Sequence, residues 1–211
     1  MDALVAFCGI VVALTIGAMS PGPSFVVVAR TSIAASRCDG LAAALGMGAG
    51  GVTFGALALL GLQAVMAHVG WLYVGLKFAG GVYLLYLAAR LWLGAAKPLA
   101  VPPPQSGQPT RAARSFVLGL TTQLSNPKTA IVYAGIFAAL LPAAAPTWLY
   151  AALPVAIFLI ETGWYAIVAV VFSSARPRAM YLRSKAWIDR AAGVVIAALG
   201  VRLIVDASPA A

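Results

Sequence analysis

Long, uninterrupted runs of apolar residues are the main pattern along the chain. No Asp, Glu, Lys or Arg occurs between Ala3 and Ala29, or between Gly40 and Leu76. A membrane-spanning helix requires about 20 mostly apolar residues to cross the hydrocarbon core. On that basis the pattern predicts six spans, near residues 4–29, 41–66, 70–93, 115–141, 147–173 and 190–206. Together these helices use nearly all of the 211 residues.

Composition supports a membrane protein and excludes several other classes. Hydrophobic residues make up 63% of the chain and charged residues only 9%, whereas a soluble domain carries roughly 25% charged residues. A soluble enzyme, a disordered chain and a disulfide scaffold are therefore excluded. The net charge is +9, but the basic residues form no continuous soluble face, so we expect no nucleic-acid partner. The expected partner is a lipid bilayer.

The basic residues fall in alternate connections between the predicted helices, where positive charge marks the cytoplasmic side. The members of this set follow the first, third and fifth helices: Arg30 and Arg37; Arg90, Lys97, Arg111 and Arg114; Arg176, Arg178, Arg183, Lys185 and Arg190. This alternation places residues 94–114 and 174–190 in the cytoplasm. Both termini then face the other side.

A proline-rich segment divides the single transmembrane domain, 1–211, into two halves. The linker, residues 94–114, is typical of an extended, solvated tether and separates residues 1–93 from residues 115–211. Because each half has three helices, the second half is inserted upside down relative to the first. The corresponding positions of Ser20-Pro21-Gly22-Pro23 and Ser125-Asn126-Pro127-Lys128 support two inverted repeats. The predicted fold is therefore an all-α membrane protein whose helices 1 and 4 are broken.

These proline segments are the places where the sequence allows a binding site. Proline removes a backbone hydrogen bond and clashes with the preceding turn, and a broken helix in a membrane must be buried in protein or line a wet cavity. In transporters, the N-termini of such half-helices point at anionic groups. We therefore predict a carboxylate-binding site at Pro21, Gly22, Pro23, Asn126 and Pro127, with a purely structural kink as the alternative.

Charged residues inside the spans are the next candidates. Glu161 is the acid that lies deep in a helix, and such a charge is costly unless it has a partner or faces a wet cavity. Lys128 follows the second break, so we predict that it attracts the cargo carboxylate. Glu161 is predicted to pair with Lys128 in the empty state or to take up the coupling proton. Lys77 is a weaker candidate because it lies close enough to the membrane surface to snorkel. Gln123 is interpreted as a helix-packing contact.

Several segments resemble the lysine exporter/homoserine–threonine exporter (LysE/RhtB) family over nearly the whole chain. They are Ser20-Pro21-Gly22-Pro23, Arg37-Cys38-Asp39-Gly40-Leu41, Ala44-Leu45-Gly46, Lys77-Phe78-Ala79-Gly80-Gly81-Val82-Tyr83-Leu84 and Ser125-Asn126-Pro127-Lys128. The resemblance implies a six-helix exporter of amino acids in the bacterial inner membrane, with periplasmic termini, driven by the proton or another ion gradient. Many members carry an acidic or amide residue where this chain has Gly51. The departure favours a small neutral amino acid over lysine or arginine.

The expected function is thus secondary transport by alternating access, without catalytic residues or a cofactor. One intramembrane glutamate and one loop histidine build neither a metal site nor a nucleophile with its base, so an enzyme is not expected. A channel or a structural helix bundle remains the alternative. Gly46, Gly50, Gly51 and Gly55 allow close helix packing, either within the bundle or between the protomers of a homo-oligomer.

Overall fold

The computed structural model describes residues 2–68, 70–97, 112–142 and 144–207. Within these ranges the chain is helical, with eight α-helices and no strand. The helices are α1 (Ala3–Met19), α2 (Pro23–Ala34), α3 (Arg37–His68), α4 (Gly70–Gly94), α5 (Ala112–Leu124), α6 (Pro127–Leu140), α7 (Thr147–Phe172) and α8 (Ala175–Ala207). Most of the predicted linker, including Arg111, lies outside the described residues.

The first predicted break is present between α1 and α2. Helix α1 ends at Met19, the backbone at Ser20 and Gly22 is extended, and α2 starts with Pro23 as its first residue. The two helices are bent by 56°. Proline is tolerated at the first position of a helix because its missing N–H would have had no partner there. The prolines therefore end one helix and begin the next.

The second predicted break is present between α5 and α6. Helix α5 ends at Leu124, and the side chain of Asn126 caps α6 by accepting a hydrogen bond of 3.1 Å from the backbone N–H of Lys128. Pro127 is the first residue of α6. Asparagine at the N-cap satisfies one of the free N–H groups at a helix start. Both breaks thus place the start of a half-helix inside the bundle.

Length and composition support only part of the predicted set of spans. Among the described residues, α3 over Arg37–Gly61 and α7 over Thr147–Phe172 are long and apolar enough to cross a membrane, and the bent pair α1 and α2 qualifies if it is one span. Large apolar side chains on these helices, including Leu57, Leu60 and Leu159, are exposed, as lipid-facing residues would be. Six spans in two inverted repeats remain a prediction.

The last helix, predicted near residues 190–206, begins earlier than predicted. Helix α8 begins at Ala175, rather than near residue 190, and continues to Ala207. The basic residues in this segment indicated solvent, but arginine, lysine, alanine and leucine are also good helix formers. A solvated basic segment can therefore be helical and continue directly into a membrane span. Helix α3 likewise begins at Arg37, ahead of the predicted residue 41, because the Ser36 hydroxyl accepts a hydrogen bond from the backbone N–H of Asp39 and donates one to the Asp39 carboxylate.

Glycines allow α3 to pack closely against α5 inside the bundle. A Cβ added to Gly46 would clash with the backbone of Phe116, and one added to Gly119 would clash with the backbone of Ala43. A Cβ at Gly50 would lie 2.7 Å from the Cβ of Gln123. This part of the glycine stripe therefore serves packing within one chain, and it fixes the position of Gln123.

Candidate functional site

The two helix breaks meet in space, although they are far apart in sequence. The side-chain N–H of Asn126, at the N-cap of α6, donates a 2.9 Å hydrogen bond to the hydroxyl of Ser24, in the first turn of α2. These residues are 102 positions apart. Because both belong to the start of a half-helix, the positive ends of two helix dipoles converge on one region. Such a region favours an anionic group.

A chain of buried hydrogen bonds leads from this contact to Glu161. The Ser24 hydroxyl donates to Oε1 of Gln123 at 2.6 Å, and Nε2 of Gln123 donates to Oε2 of Glu161 at 3.2 Å. The Tyr133 hydroxyl donates to Oε1 of Glu161 at 2.8 Å. Ser24, Gln123, Asn126, Tyr133 and Glu161 are all at most 4% exposed. Both oxygens of Glu161 thus accept a hydrogen bond, as an ionised carboxylate requires.

Lys128 binds the carbonyl end of α1. Its ammonium donates to the backbone oxygen of Ser20 at 2.8 Å and approaches that of Gly17 at 3.4 Å. Lysine is favourable there because the last carbonyls of a helix carry partial negative charge. The direct ion pairs in the described part of the chain are Lys185–Asp189 and Arg202–Asp206. Lys128 and Glu161 therefore do not contact each other directly.

Lys128 and Glu161 nevertheless line the same small cavity. Its volume is about 20 Å³, which is enough for about one water molecule. The hydroxyl of Ser20, also in its wall, is buried and has no hydrogen-bond partner among the described residues. The residues that line it come from both breaks and include the two charged side chains: Gly17, Ala18, Ser20, Gly22, Asn126, Lys128, Thr129, Val132, Tyr133, Glu161 and Tyr165.

A larger, open cavity lies on the other side of Gly22 and Lys128, and we call it the vestibule. Its volume is about 460 Å³, which is in the range of small-molecule sites. Gly22 and Lys128 are the residues shared by the linings of the two cavities. The vestibule also contains Arg90, Lys97 and the Lys185–Asp189 pair, and it is walled further by Pro21, Pro23, Tyr83, Tyr86, Leu87, Leu91 and Gly94. Its excess positive charge attracts anionic groups.

The structure brings most of the predicted residues together. Pro21, Gly22 and Pro23 border the vestibule, and Asn126, Lys128 and Glu161 line the small cavity. Pro127 begins α6 beside them. Lys77 lies on α4 and lines neither of these two cavities.

Three residues of the hydrogen-bond chain were missed by the sequence analysis. Gln123, interpreted there as a packing contact, instead contacts Glu161, and Ser24 and Tyr133 were not singled out. A usable signal was their position. Ser24 directly follows the first proline segment, and Gln123 lies two residues before the start of the second. Polar side chains beside a break are natural partners for one another.

Comparison with known proteins identifies relatives over most of the chain. The family model described as "LysE type translocator" matches residues 15–207. The chain is 32% identical over 206 residues to the threonine efflux protein of Escherichia coli (strain K12), covering 96% of this chain and 99% of that protein. It is 34% identical over 193 residues to the threonine efflux protein of Salmonella typhi, covering 89% and 92%.

A shorter match links the chain to a protein named for another neutral amino acid. The chain is 31% identical over 121 residues to the leucine efflux protein of Klebsiella pneumoniae subsp. pneumoniae, covering 56% of this chain and 54% of that protein. No solved structure matches the chain significantly.

Proposed function

Because this chain belongs to the LysE family of amino-acid efflux transporters, we propose that it exports a small neutral amino acid, threonine first among the candidates, from a bacterial cytoplasm. The protein is a transporter and not an enzyme. Support for the cargo comes from the threonine efflux relatives, which match at 32–34% identity over nearly their full length. The finer mechanism proposed below rests on the geometry of the two breaks.

The meeting of the two helix breaks beside Lys128 and Glu161 is the observation that carries this proposal. The start of α2, the start of α6 and the ammonium of Lys128 all favour the carboxylate of an amino acid. The carboxylate of Glu161 favours its ammonium group. The lining of the small cavity holds one basic and one acidic side chain. A zwitterion with a neutral side chain matches that charge set, whereas lysine would bring a second positive charge without a second acid.

Transport requires the protein to change shape around this site. The cavity of about 20 Å³ is smaller than any amino acid, whereas the vestibule of about 460 Å³ can admit one. We place the vestibule on the cytoplasmic side, because Arg90, Lys97 and Lys185 lie in segments that the distribution of positive charge assigns to the cytoplasm. Cargo then enters the vestibule, displaces Lys128 from the carbonyls of α1 and reaches Glu161. Closure behind the cargo and opening to the periplasm complete an alternating-access cycle.

Coupling to the proton gradient follows from the position of Glu161. The ammonium of the cargo and a proton compete for the same carboxylate. When the site faces an acidic periplasm, a proton binds Glu161 and displaces the cargo. The proton is then released when the cargo-free site returns to the cytoplasm. Export should therefore rise as the external pH falls, and fall as the internal pH falls.

Counterflow in liposomes tests this function against the alternative of a channel. The purified protein is reconstituted with unlabelled L-threonine inside, and labelled threonine is added outside. A carrier accumulates the label above its external concentration, because the excess of unlabelled cargo inside occupies the site and slows the exit of the label, whereas a channel only equilibrates it. Unlabelled serine should support the exchange and unlabelled lysine should not. Equilibration without transient accumulation would reject the carrier.

A further inference from the structure

The side-chain amide of Gln123 connects the coupling glutamate with the two helix breaks. Gln123 is fully buried and lies in the last turn of α5, just before the second break. Its position is fixed by the close approach of α3, because a Cβ at Gly50 would lie 2.7 Å from the Cβ of Gln123. The amide therefore has little freedom to move away from its two partners, Ser24 and Glu161.

The hydrogen bonds through this amide have a direction. Asn126 donates to Ser24, Ser24 donates to Oε1 of Gln123, and Nε2 of Gln123 donates to Glu161. Every donor along this path points toward the carboxylate, which suits its ionised form. A primary amide has a donor end and an acceptor end. When one neighbour requires a donor, the other neighbour is therefore offered the acceptor, and rotating the amide reverses both hydrogen bonds.

Protonation of Glu161 opposes that direction. A proton on Oε2 would face the N–H of Gln123, placing two donors against each other. A proton on Oε1 would instead face the Tyr133 hydroxyl, whose hydrogen bond in the described structure goes to Glu161. The first arrangement is relieved by rotating one amide of unchanged volume, which takes the acceptor away from the Ser24 hydroxyl and so passes the change on, whereas the second takes the acceptor away from the Tyr133 hydroxyl. Rotation of Gln123 presents its N–H to Ser24, which already accepts from Asn126.

We propose that Gln123 is a positioning residue that transmits the protonation state of Glu161, through Ser24 and Asn126, to the break that holds the cargo. The inference rests on the proposed function. Asn126 is the final link, because its other side-chain atom, Oδ1, accepts the backbone N–H of Lys128 and caps α6. A change at Ser24 therefore reaches the first turn of α6, where the cargo carboxylate binds.

The groups that face Glu161 come from four helices. Helix α6 contributes Tyr133 and Lys128, and α7 itself contributes Tyr165 to the same cavity. Helix α3 contributes Gly51, at which a Cβ would lie 2.9 Å from Cγ of Glu161. Gln123 is the group from α5. Gln123 accepts a hydrogen bond from the hydroxyl of Ser24 at the start of α2, and Lys128 and Tyr165 also lie beside the first break.

The first test is the pH dependence of L-threonine binding to the purified full-length protein. In the wild type, exchange of one proton for one cargo changes the dissociation constant by up to about tenfold per pH unit. Gln123→Met keeps the approximate shape and removes both hydrogen bonds, so it should reduce this dependence to the part that comes from direct competition between the cargo ammonium and the proton at Glu161. Ser115→Ala is the matched control, because Ser115 is buried on the same helix and also loses one hydrogen bond, to Asp39. It should keep the wild-type profile.

A double exchange provides the second variant. Gln123→Glu combined with Glu161→Gln can preserve every contact, since Ser24 donates to the new carboxylate, the new amide donates to its other oxygen, and Tyr133 donates to the amide oxygen. We expect this pair to restore pH dependence that Glu161→Gln alone lacks. A flat profile in the double variant, or a wild-type profile in Gln123→Met, would overturn the inference while leaving the role of Glu161 intact.

A spectroscopic readout separates this inference from the identity of the cargo. Infrared difference spectra of the cargo-free protein report protonation of Glu161 as a carboxyl band and rotation of Gln123 as a side-chain amide band. Both bands should titrate together in the wild type, and Gln123→Met should keep only the first. A carboxyl band that titrates without an amide change overturns the inference. Failure of threonine to bind, with both bands present, rejects only the proposed cargo, and a wild type without a titrating carboxyl band rejects the coupling role of Glu161 and this inference together.

Discussion

Replacing Lys128 with methionine is the sharpest test of how the carboxylate of the cargo is held. The change keeps most of the side-chain length and removes the ammonium, which now contacts the carbonyls of Ser20 and Gly17. Lys128 also lies at the boundary between the vestibule and the small cavity, beside Gly22. We predict that Lys128→Met weakens cargo binding at least as much as it weakens the fold.

The magnitude follows from the contacts. A hydrogen bond to a charged group contributes about 1.5–3 kcal/mol, so losing the bond to the cargo carboxylate should raise the dissociation constant about 10- to 150-fold. For the fold, the 2.8 Å contact with Ser20 is the one that matters, because the 3.4 Å approach to Gly17 is too long to contribute much. Its interaction with the end of α1 is partly buried and is worth up to about 2 kcal/mol. The loss of affinity, at about 1.5–3 kcal/mol, should therefore be at least as large as the loss of stability.

The assay is counterflow of L-threonine at varied concentration, paired with thermal unfolding in detergent. Arg202→Met is the matched control, because it removes one positive charge from a half-exposed pair with Asp206 on α8. We expect the control to match the wild type and Lys128→Arg to retain partial binding. If Lys128→Met binds threonine with wild-type affinity, the helix starts hold the carboxylate without the lysine, and its assigned role is wrong.

Three further predictions concern coupling, the breaks and the orientation. Glu161→Gln should abolish export driven by a proton gradient, because the amide cannot take up the coupling proton, and should leave threonine exchange in liposomes with a lower affinity, because an amide oxygen binds the cargo ammonium more weakly; wild-type export with unchanged pH dependence would make Glu161 a packing residue. Replacing residues 21–23 with alanine should restore a continuous helix and abolish transport with normal membrane insertion; transport by a well-expressed variant would contradict this. Reporters active on one side of the membrane should place both termini in the periplasm, and a cytoplasmic C-terminus would remove one span.

The helix breaks could be predicted from the sequence because their cause is local. Pro21 and Pro23 remove two backbone donors within three residues and clash with the preceding turn, which makes a stronger break than the single Pro154 inside α7. Asn126 before Pro127 likewise combines a preferred N-cap with a preferred first helical residue. The structure places a helix start at Pro23 and another at Pro127. No knowledge of tertiary packing was needed for either position.

The partners of Glu161 could not be predicted in the same way, because packing between helices selects them. Gln123 is 38 residues away in sequence and Tyr133 is 28 residues away. Which polar side chain meets the carboxylate depends on how closely α3 allows α5 to approach, and Gly50 and Gly119 set that approach. The glycine spacing indicates close packing, but it does not say which helix is the neighbour or which residues face each other. From the sequence alone, Gln123 could therefore not be distinguished from a polar residue that only packs between helices.

The sequence analysis predicted that Lys128 and Glu161 pair, because two buried opposite charges attract each other. In the structure each charge instead has neutral partners, and this separation has a physical reason. Lys128 is satisfied by backbone carbonyls of α1, and Glu161 by the amide of Gln123 and the hydroxyl of Tyr133. Breaking a buried ion pair by removing one partner costs about 3–5 kcal/mol. Exchanging neutral dipoles for an ion of opposite charge costs less, because each charge gains a stronger partner. A zwitterion that reaches the cavity can therefore replace neutral partners at both charges, which an internal ion pair would oppose.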